Sequence, residues 1–178
     1  MSKKVAILAT NGFEESELKS PKQHIEQEGW SAHIISIKPG KIKSWADGNW
    51  GPEYDVDKTL DQVSADEYDA LVLPGGVINP DKLRVNDQAI SFVKAFFDAK
   101  KPVAAICHGP WTLINAGVVK GRDMTSYNSI KQDLINAGAN WSDQEVVVDQ
   151  GLVTSRDPDD LPAFNRKMIE EIKEGVHA

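Results

Sequence analysis

Pro102-Val103-Ala104-Ala105-Ile106-Cys107-His108-Gly109-Pro110 is the stretch that decides the fold. Its first half is a short apolar run with no 3.6-residue period, the pattern of a strand buried on both faces. A helix from about Pro110 to Ala116 follows, with Pro at its first position and Gly117 as its stop. The segment between has the form of a nucleophile elbow, small-x-nucleophile-x-Gly, with Cys in place of Ser. Such a turn needs small neighbours because its backbone is strained and closely packed. It lifts the sulfur to the edge of the sheet and aims it at a helix N-terminus, whose partial positive charge favours the thiolate. The plainer alternative is a buried Cys that packs as a small hydrophobe.

Working outward, the same alternation repeats. Lys4 to Thr10 reads as a buried strand broken by Asn11-Gly12. Ser20-Pro21 reads as an N-cap and first helical residue, and Gly29 as the end of that helix. Ala32 to Ile37 is a second strand. Residues 41 to 57 alternate and are rich in turn residues, which predicts a small hairpin or ribbon. Ser64-Ala65-Asp66-Glu67 has the spacing of a capping box. Ala70 to Leu73 is a strand stopped by Pro74-Gly75-Gly76. Asp87 to Ala99 is an amphipathic helix, with Ala89, Ile90, Val93, Phe96 and Phe97 as its core stripe. Helices are also expected over Asn128 to Ala137, with Gly138 after it, and over Asp160 to Lys173. Val146 to Val148 and Leu152 to Ser155 flank Asp149-Gln150-Gly151 as a hairpin. Strands alternating with helices in this way predict an α/β fold, a mostly parallel sheet covered by helices on both faces. Ligands of such sheets sit at the carboxyl ends of the strands. Gly12-Phe13-Glu14-Glu15, Gly75-Gly76 and Cys107-His108 all end strands at that edge.

Composition bounds the function. The chain has 178 residues, 20 Lys and Arg against 27 Asp and Glu, a net charge of −7, and 40% hydrophobic residues. That length suits one domain over 1–178 with a sizeable core. The acidic balance argues against a generic nucleic-acid binder, which needs clustered Lys and Arg. One cysteine makes neither an intramolecular disulfide nor a multi-cysteine zinc site. No apolar run reaches the ~18 residues of a membrane span, and Val5 to Ala9 is too short for a signal peptide. The C-terminus matches no lipidation or retention signal. A reducing, cytoplasmic setting is expected. Neither metal-ligand spacing nor a phosphate-binding glycine loop is present, so no cofactor is expected.

Within the predicted site, His108 is the natural base for Cys107; its alternative is a structural role at the helix start. His24, on a surface helix, His33, in a strand, and His177, near the C-terminus, are weaker candidates. The backbone N–H groups of Gly76 and His108 are expected to receive a developing oxyanion; an ordinary turn is the alternative at Gly75-Gly76. Glu14 and Glu15 follow the first strand. A carboxyl brought near the thiolate is pushed toward its neutral form and then serves as hydrogen-bond donor or acid. The alternative is a pair of solvated loop acids. Trp45, Trp50 and Tyr127 are candidates to line a pocket or to pack in the core or an interface.

Together these residues resemble the ThiJ/PfpI family, in its PfpI-like branch. Leu71-Val72-Leu73-Pro74-Gly75-Gly76 and Ala104 to Pro110 carry the resemblance. So do Asn11 to Leu18, Thr125-Ser126-Tyr127, Ile130 to Gly138, and Val146-Val147-Val148-Asp149 before Ser155-Arg156. The resemblance implies a flavodoxin-like three-layer sandwich, similar to class I glutamine amidotransferase domains. It implies Cys107 as nucleophile, His108 as its partner and Glu14 as the acid hydrogen-bonded to the sulfur. It also implies a third acid, supplied by a neighbouring subunit, that orients the histidine. Asp81 is the best match, in a loop one residue longer than the family's pattern and with Asp where Glu is usual. A homodimer or homohexamer follows from that role. The activities implied are deglycase or glyoxalase chemistry on small carbonyl or glycated substrates, with stress protection as the setting and peptide hydrolysis as the runner-up. All of them demand a low-pKa thiolate. The same thiolate suits a reading from another class, a redox-sensing stress protein or holdase with an oxidisable Cys107.

Overall fold

Residues 2–175 are described by the computed structural model. In chain order they form β1 (Lys4–Leu8), β2 (Phe13–Glu14), α1 (Glu15–Gln27), β3 (Ser31–Ser36), β4 (Lys41–Ala46), β5 (Asn49–Asp55) and β6 (Lys58–Thr59). There follow β7 (Ala70–Leu73), α2 (Ile78–Leu83), α3 (Asp87–Asp98), β8 (Val103–Ile106), α4 (Pro110–Asn115) and β9 (Asp123–Met124). The last elements are α5 (Lys131–Asn136), β10 (Asn140–Trp141), β11 (Val147–Asp149), β12 (Leu152–Ser155) and α6 (Leu161–Glu174).

Seven strands make the central sheet in the order β11-β12-β8-β7-β1-β3-β6. All neighbours are parallel except β11, which pairs antiparallel with β12 through the expected hairpin. Burial explains why the inner strands read as unbroken apolar runs. β7, β8 and β12 are buried at every residue, and β1 from Val5 onward. Alternate side chains feed two cores. Ala6 and Leu8 join Phe92, Val93, Phe96, Leu113 and Leu134 on the face covered by α3, α4 and α5. Val5 and Ile7 join Leu18, Ile25, Phe164, Met168 and Ile172 on the face covered by α1 and α6. This is the three-layer flavodoxin-like sandwich that the sequence implied. From β1 the chain builds outward to β3 on one side and later to β7 and β8 on the other. The carboxyl ends of β1 and β7 therefore flank a topological switch point, where open α/β sheets form their crevices.

The hairpin of residues 41 to 57 is present as β4 and β5, joined at Asp47-Gly48, and β2 extends it to three strands. The capping box at Ser64 caps one 3₁₀ turn, Ala65–Glu67, with both of its hydrogen bonds formed. Two helices differ from expectation. α1 begins at Glu15, and Pro21 lies inside it. The burial of Leu18, Pro21 and Ile25 at helical spacing outweighs one missing amide donor, and acidic Glu15 and Glu17 suit the positive end of the helix. α2 was expected to be a loop. Pro80 sits in its first turn, where a missing N–H costs nothing. Among the described residues no helix is long and apolar enough to cross a membrane.

Candidate active site

Cys107 sits at the end of β8 with φ 63°, a left-handed conformation rare for a residue with a side chain. Its surroundings hold it there. Its N–H donates to the Ser155 carbonyl (3.1 Å), and its carbonyl accepts from the Tyr127 N–H (2.9 Å). Gly109 has no room for a side chain: a Cβ would lie 2.7 Å from the Leu73 carbonyl oxygen and 2.9 Å from that of Ile106. The elbow predicted from sequence is therefore formed, with the strain that marks functional turns.

His108 folds back toward its neighbour. Its Nδ1 lies 3.2 Å from Cys107 Sγ, and its Nε2 lies 3.2 Å from Ser129 Oγ. The ring stacks on Tyr127 with centroids 4.8 Å apart, and Trp111 meets it edge-on at 5.1 Å. Burial lowers the His108 pKa, which keeps the imidazole neutral and able to accept a proton.

The acid beneath the sulfur is Glu17, not Glu14 as the resemblance implied. Glu17 is fully buried, and its Oε1 accepts the Gly75 N–H at 3.0 Å. Its Oε2 has no close partner, and the Cys107 thiol faces the same carboxyl at longer range. Burial first, then the charge of Glu14, pushes Glu17 up to about 8. At neutral pH it is a neutral acid with a hydroxyl to donate. Glu14 is the residue before α1. It is half-buried, with its pKa raised by burial, then by Asp47 and Glu15. The early start of α1 explains the exchange: one helical turn carries Glu17 down onto the sheet and leaves Glu14 and Glu15 above it.

The backbone N–H groups of Gly76 and His108 both approach the Cys107 sulfur and favour its anion. Burial and the nearby Glu17 nonetheless raise the thiol's pKa. The expected depressed pKa is thus not what the free chain shows, because burial outweighs two amide donors and the single short helix α4. Asn79, which sequence reasoning passed over, fixes the turn that carries Gly76. Fully buried, it donates to the carbonyls of Pro74 (3.0 Å) and Gly75 (3.1 Å) and accepts from the Thr10 N–H (2.8 Å).

Above the sulfur lies a cavity of about 520 Å³, lined by Glu14, Glu17, Trp45, Val77, Tyr127 and Ser129 besides Cys107 and His108. Trp50 does not line it but packs edge-on against Trp45 at 5.4 Å. Asp81 is exposed on α2 and does not reach the cavity of its own chain. His24 bonds the Ser20 carbonyl on the outer face of α1, and His33 pairs with Tyr68. Neither lines the cavity, and His177 lies outside the described residues. Among the described residues no three His, Cys, Asp or Glu side chains are grouped to hold a metal ion.

Comparison with known proteins agrees with this geometry. The model of the DJ-1/PfpI family matches residues 3–171. "Putative cysteine protease YraA" of Bacillus subtilis is 49% identical over 97% of this chain and 100% of its own length. "Deglycase PfpI" of Pyrococcus furiosus is 46% identical over 96% of this chain and 99% of its own. Among solved structures, a two-domain protein of Anabaena variabilis with DJ-1/ThiJ/PfpI-like and ferritin-like domains superposes with a TM-score of 0.91 at 35% identity. The match covers 96% of this chain and 48% of that one, so the chain spans about half of the two-domain protein.

Proposed function

The chain belongs to the DJ-1/PfpI family, and from that premise we propose that it is a cysteine-dependent hydrolase or lyase of deglycase or glyoxalase type, acting on small carbonyl adducts. The observation that carries this reading is the 3.2 Å approach of Cys107 Sγ to His108 Nδ1 beneath a cavity of about 520 Å³. A cavity of that size suits a small adduct. Neutral His108 takes the thiol proton through Nδ1 as the sulfur attacks an electrophilic carbon, so a resting thiolate is not required. Ser129 Oγ accepts a hydrogen bond from Nε2–H and steadies the ring. The oxygen that gains the electron pair meets the N–H groups of Gly76 and His108. Glu17, held neutral by burial, supplies a proton to the departing amine or thiol. In this reading Asp81 acts only across an interface, approaching the His108 side of a second copy, so the working form is a homo-oligomer. The setting is cytoplasmic, where the single thiol stays reduced.

Two experiments test the assignment. Wild type should turn over methylglyoxal or a methylglyoxal-treated cysteine many times, and Cys107→Ser should lose at least ~100-fold of that rate. Consumption of one equivalent without turnover would instead support a redox sensor. Cleavage of peptides but not of adducts would support the peptidase reading, which the name of the Bacillus relative favours. Asp81→Asn should cut turnover while the melting temperature holds; unchanged turnover removes the cross-subunit role.

A further inference from the structure

The turn after β7 carries two consecutive peptide groups, Pro74–Gly75 and Gly75–Gly76, and each of their polar groups has a partner. The Gly75 N–H donates to Glu17 Oε1 at 3.0 Å. The Pro74 and Gly75 carbonyls accept from Asn79 Nδ2 at 3.0 and 3.1 Å. The Gly75 carbonyl also accepts the Glu14 N–H at 3.4 Å. The remaining group, the Gly76 N–H, approaches the Cys107 sulfur. Asn79 itself is fully buried, and its Oδ1 accepts the Thr10 N–H at 2.8 Å. These partners fix its orientation: turned over, the amide would set its oxygen against two carbonyls and its nitrogen against an N–H. Asn79 does not line the cavity. Its influence on the chemistry runs through the peptide it holds. A peptide is planar and trans, so holding the Gly75 oxygen on one side aims the Gly76 hydrogen to the other. Glycine on both sides removes the Cβ atoms that would resist rotation of this peptide, and Gly76 already has φ 78°. Turned over, the peptide would place a carbonyl oxygen where the substrate's oxygen gains charge. Hydrogen bonds into the Gly75 carbonyl also polarise the same amide and make its N–H a better donor.

We infer that Asn79 is a positioning residue of the reaction: through the Gly75 carbonyl it holds the Gly76 N–H toward the oxygen that becomes negative when Cys107 attacks. The inference rests on the reading of Cys107 as a nucleophile toward a carbonyl carbon. It adds a residue that acts on the transition state without touching the substrate, and it makes α2, which carries Asn79, part of the catalytic frame.

The test compares two reactions of the same thiol in the full chain. Turnover of methylglyoxal puts charge on a carbonyl oxygen. S-methyl methanethiosulfonate instead transfers its methylthio group to Cys107, forming a mixed disulfide and releasing methanesulfinate, and no carbonyl oxygen takes part. Cys107 is the only cysteine, so intact mass follows this second reaction directly. Asn79→Ala should lower kcat for methylglyoxal by about a hundredfold, with KM within about threefold. The loss in kcat should exceed the loss in disulfide rate by about tenfold or more. Asn79→Asp, the second variant, has the same shape and keeps an acceptor for the Thr10 N–H. As a carboxylate it cannot donate to the Gly75 carbonyl; protonated, it can. Its kcat relative to wild type should therefore recover severalfold from pH 8 to pH 5.5, and should Asn79→Ala not fold, this recovery decides alone. An unchanged kcat, a loss confined to KM, equal losses in the two reactions, or an Asn79→Asp deficit that does not change with pH overturns the inference and leaves the nucleophile reading standing. A wild type that forms the disulfide but turns over no methylglyoxal overturns the proposed carbonyl chemistry, and the inference with it.

Discussion

Gly75 and Gly48 both sit at tight turns on the carboxyl side of the sheet, yet their surroundings are opposite. A Cβ at Gly75 would lie 2.5 Å from Glu17 Oε1 and 2.6 Å from Cys107 Cβ, whereas at Gly48 nothing lies within 4 Å. Gly75 belongs to the floor of the cavity, with Pro74, Glu17, Cys107 and His108, all buried. Gly48 belongs to the hairpin that forms part of its rim, near Trp45 and Glu14, which are half-exposed. The floor is over-determined: strained φ at Cys107, close glycines and buried hydrogen bonds fix one another. The rim has slack. Geometry that must hold to tenths of an ångström is built into the floor, while a side chain of the rim can change without disturbing the sulfur.

Substitution at the floor should therefore cost far more than at the rim. The largest effect is expected at Gly75→Ala. Its methyl group has to displace the Glu17 carboxyl, the Cys107 side chain and the Ile106 carbonyl, so turnover should fall at least ~100-fold and stability by about 1–3 kcal/mol. Equal activity in that variant would break the contrast between floor and rim.

Glu17→Gln comes next. The amide keeps the shape and can still accept from Gly75, but it cannot deliver a proton, so turnover should drop by about two orders of magnitude. Its smaller effect is on stability and has a definite sign. Glu17 titrates at about 8 in the fold against an ordinary 4.5. Between those values the folded state keeps a proton that the unfolded chain releases, so wild-type stability falls as pH rises through that window, by at most ~1.4 kcal/mol per unit. Gln does not titrate. Urea melts at pH 5 and pH 8 should show the variant gaining on wild type at the higher pH. A difference that stays constant with pH would mean that Glu17 is ionised in the fold.

The floor was also the more legible part in sequence, though not completely. Buried parallel strands leave continuous apolar runs, and the turns after them need Gly and Pro, so Ala70 to Gly76 and Val103 to Gly109 announced both the sheet and its reactive edge. Glu17 was hidden by Ser20-Pro21, which mimics a helix start. The signal that would have revealed it is an acid placed four and eight residues before Pro21 and Ile25, on the stripe that also buries Leu18. Ser129 and Asn79 gave no such signal, because a short polar side chain on a 3₁₀ turn or before a proline has many ordinary uses. Asp81 stands apart from the cavity because its helix, α2, turns it outward to solvent.

The central claim is that the floor delivers a reactive sulfur assisted by His108. Iodoacetamide labelling of the native protein at pH 7.5, followed by intact mass, tests it most directly. Wild type should be alkylated at Cys107, with a rate about tenfold or more above that of His108→Ala. A native thiol that stays unlabelled while the urea-unfolded chain reacts readily, or a rate indifferent to His108, would contradict it.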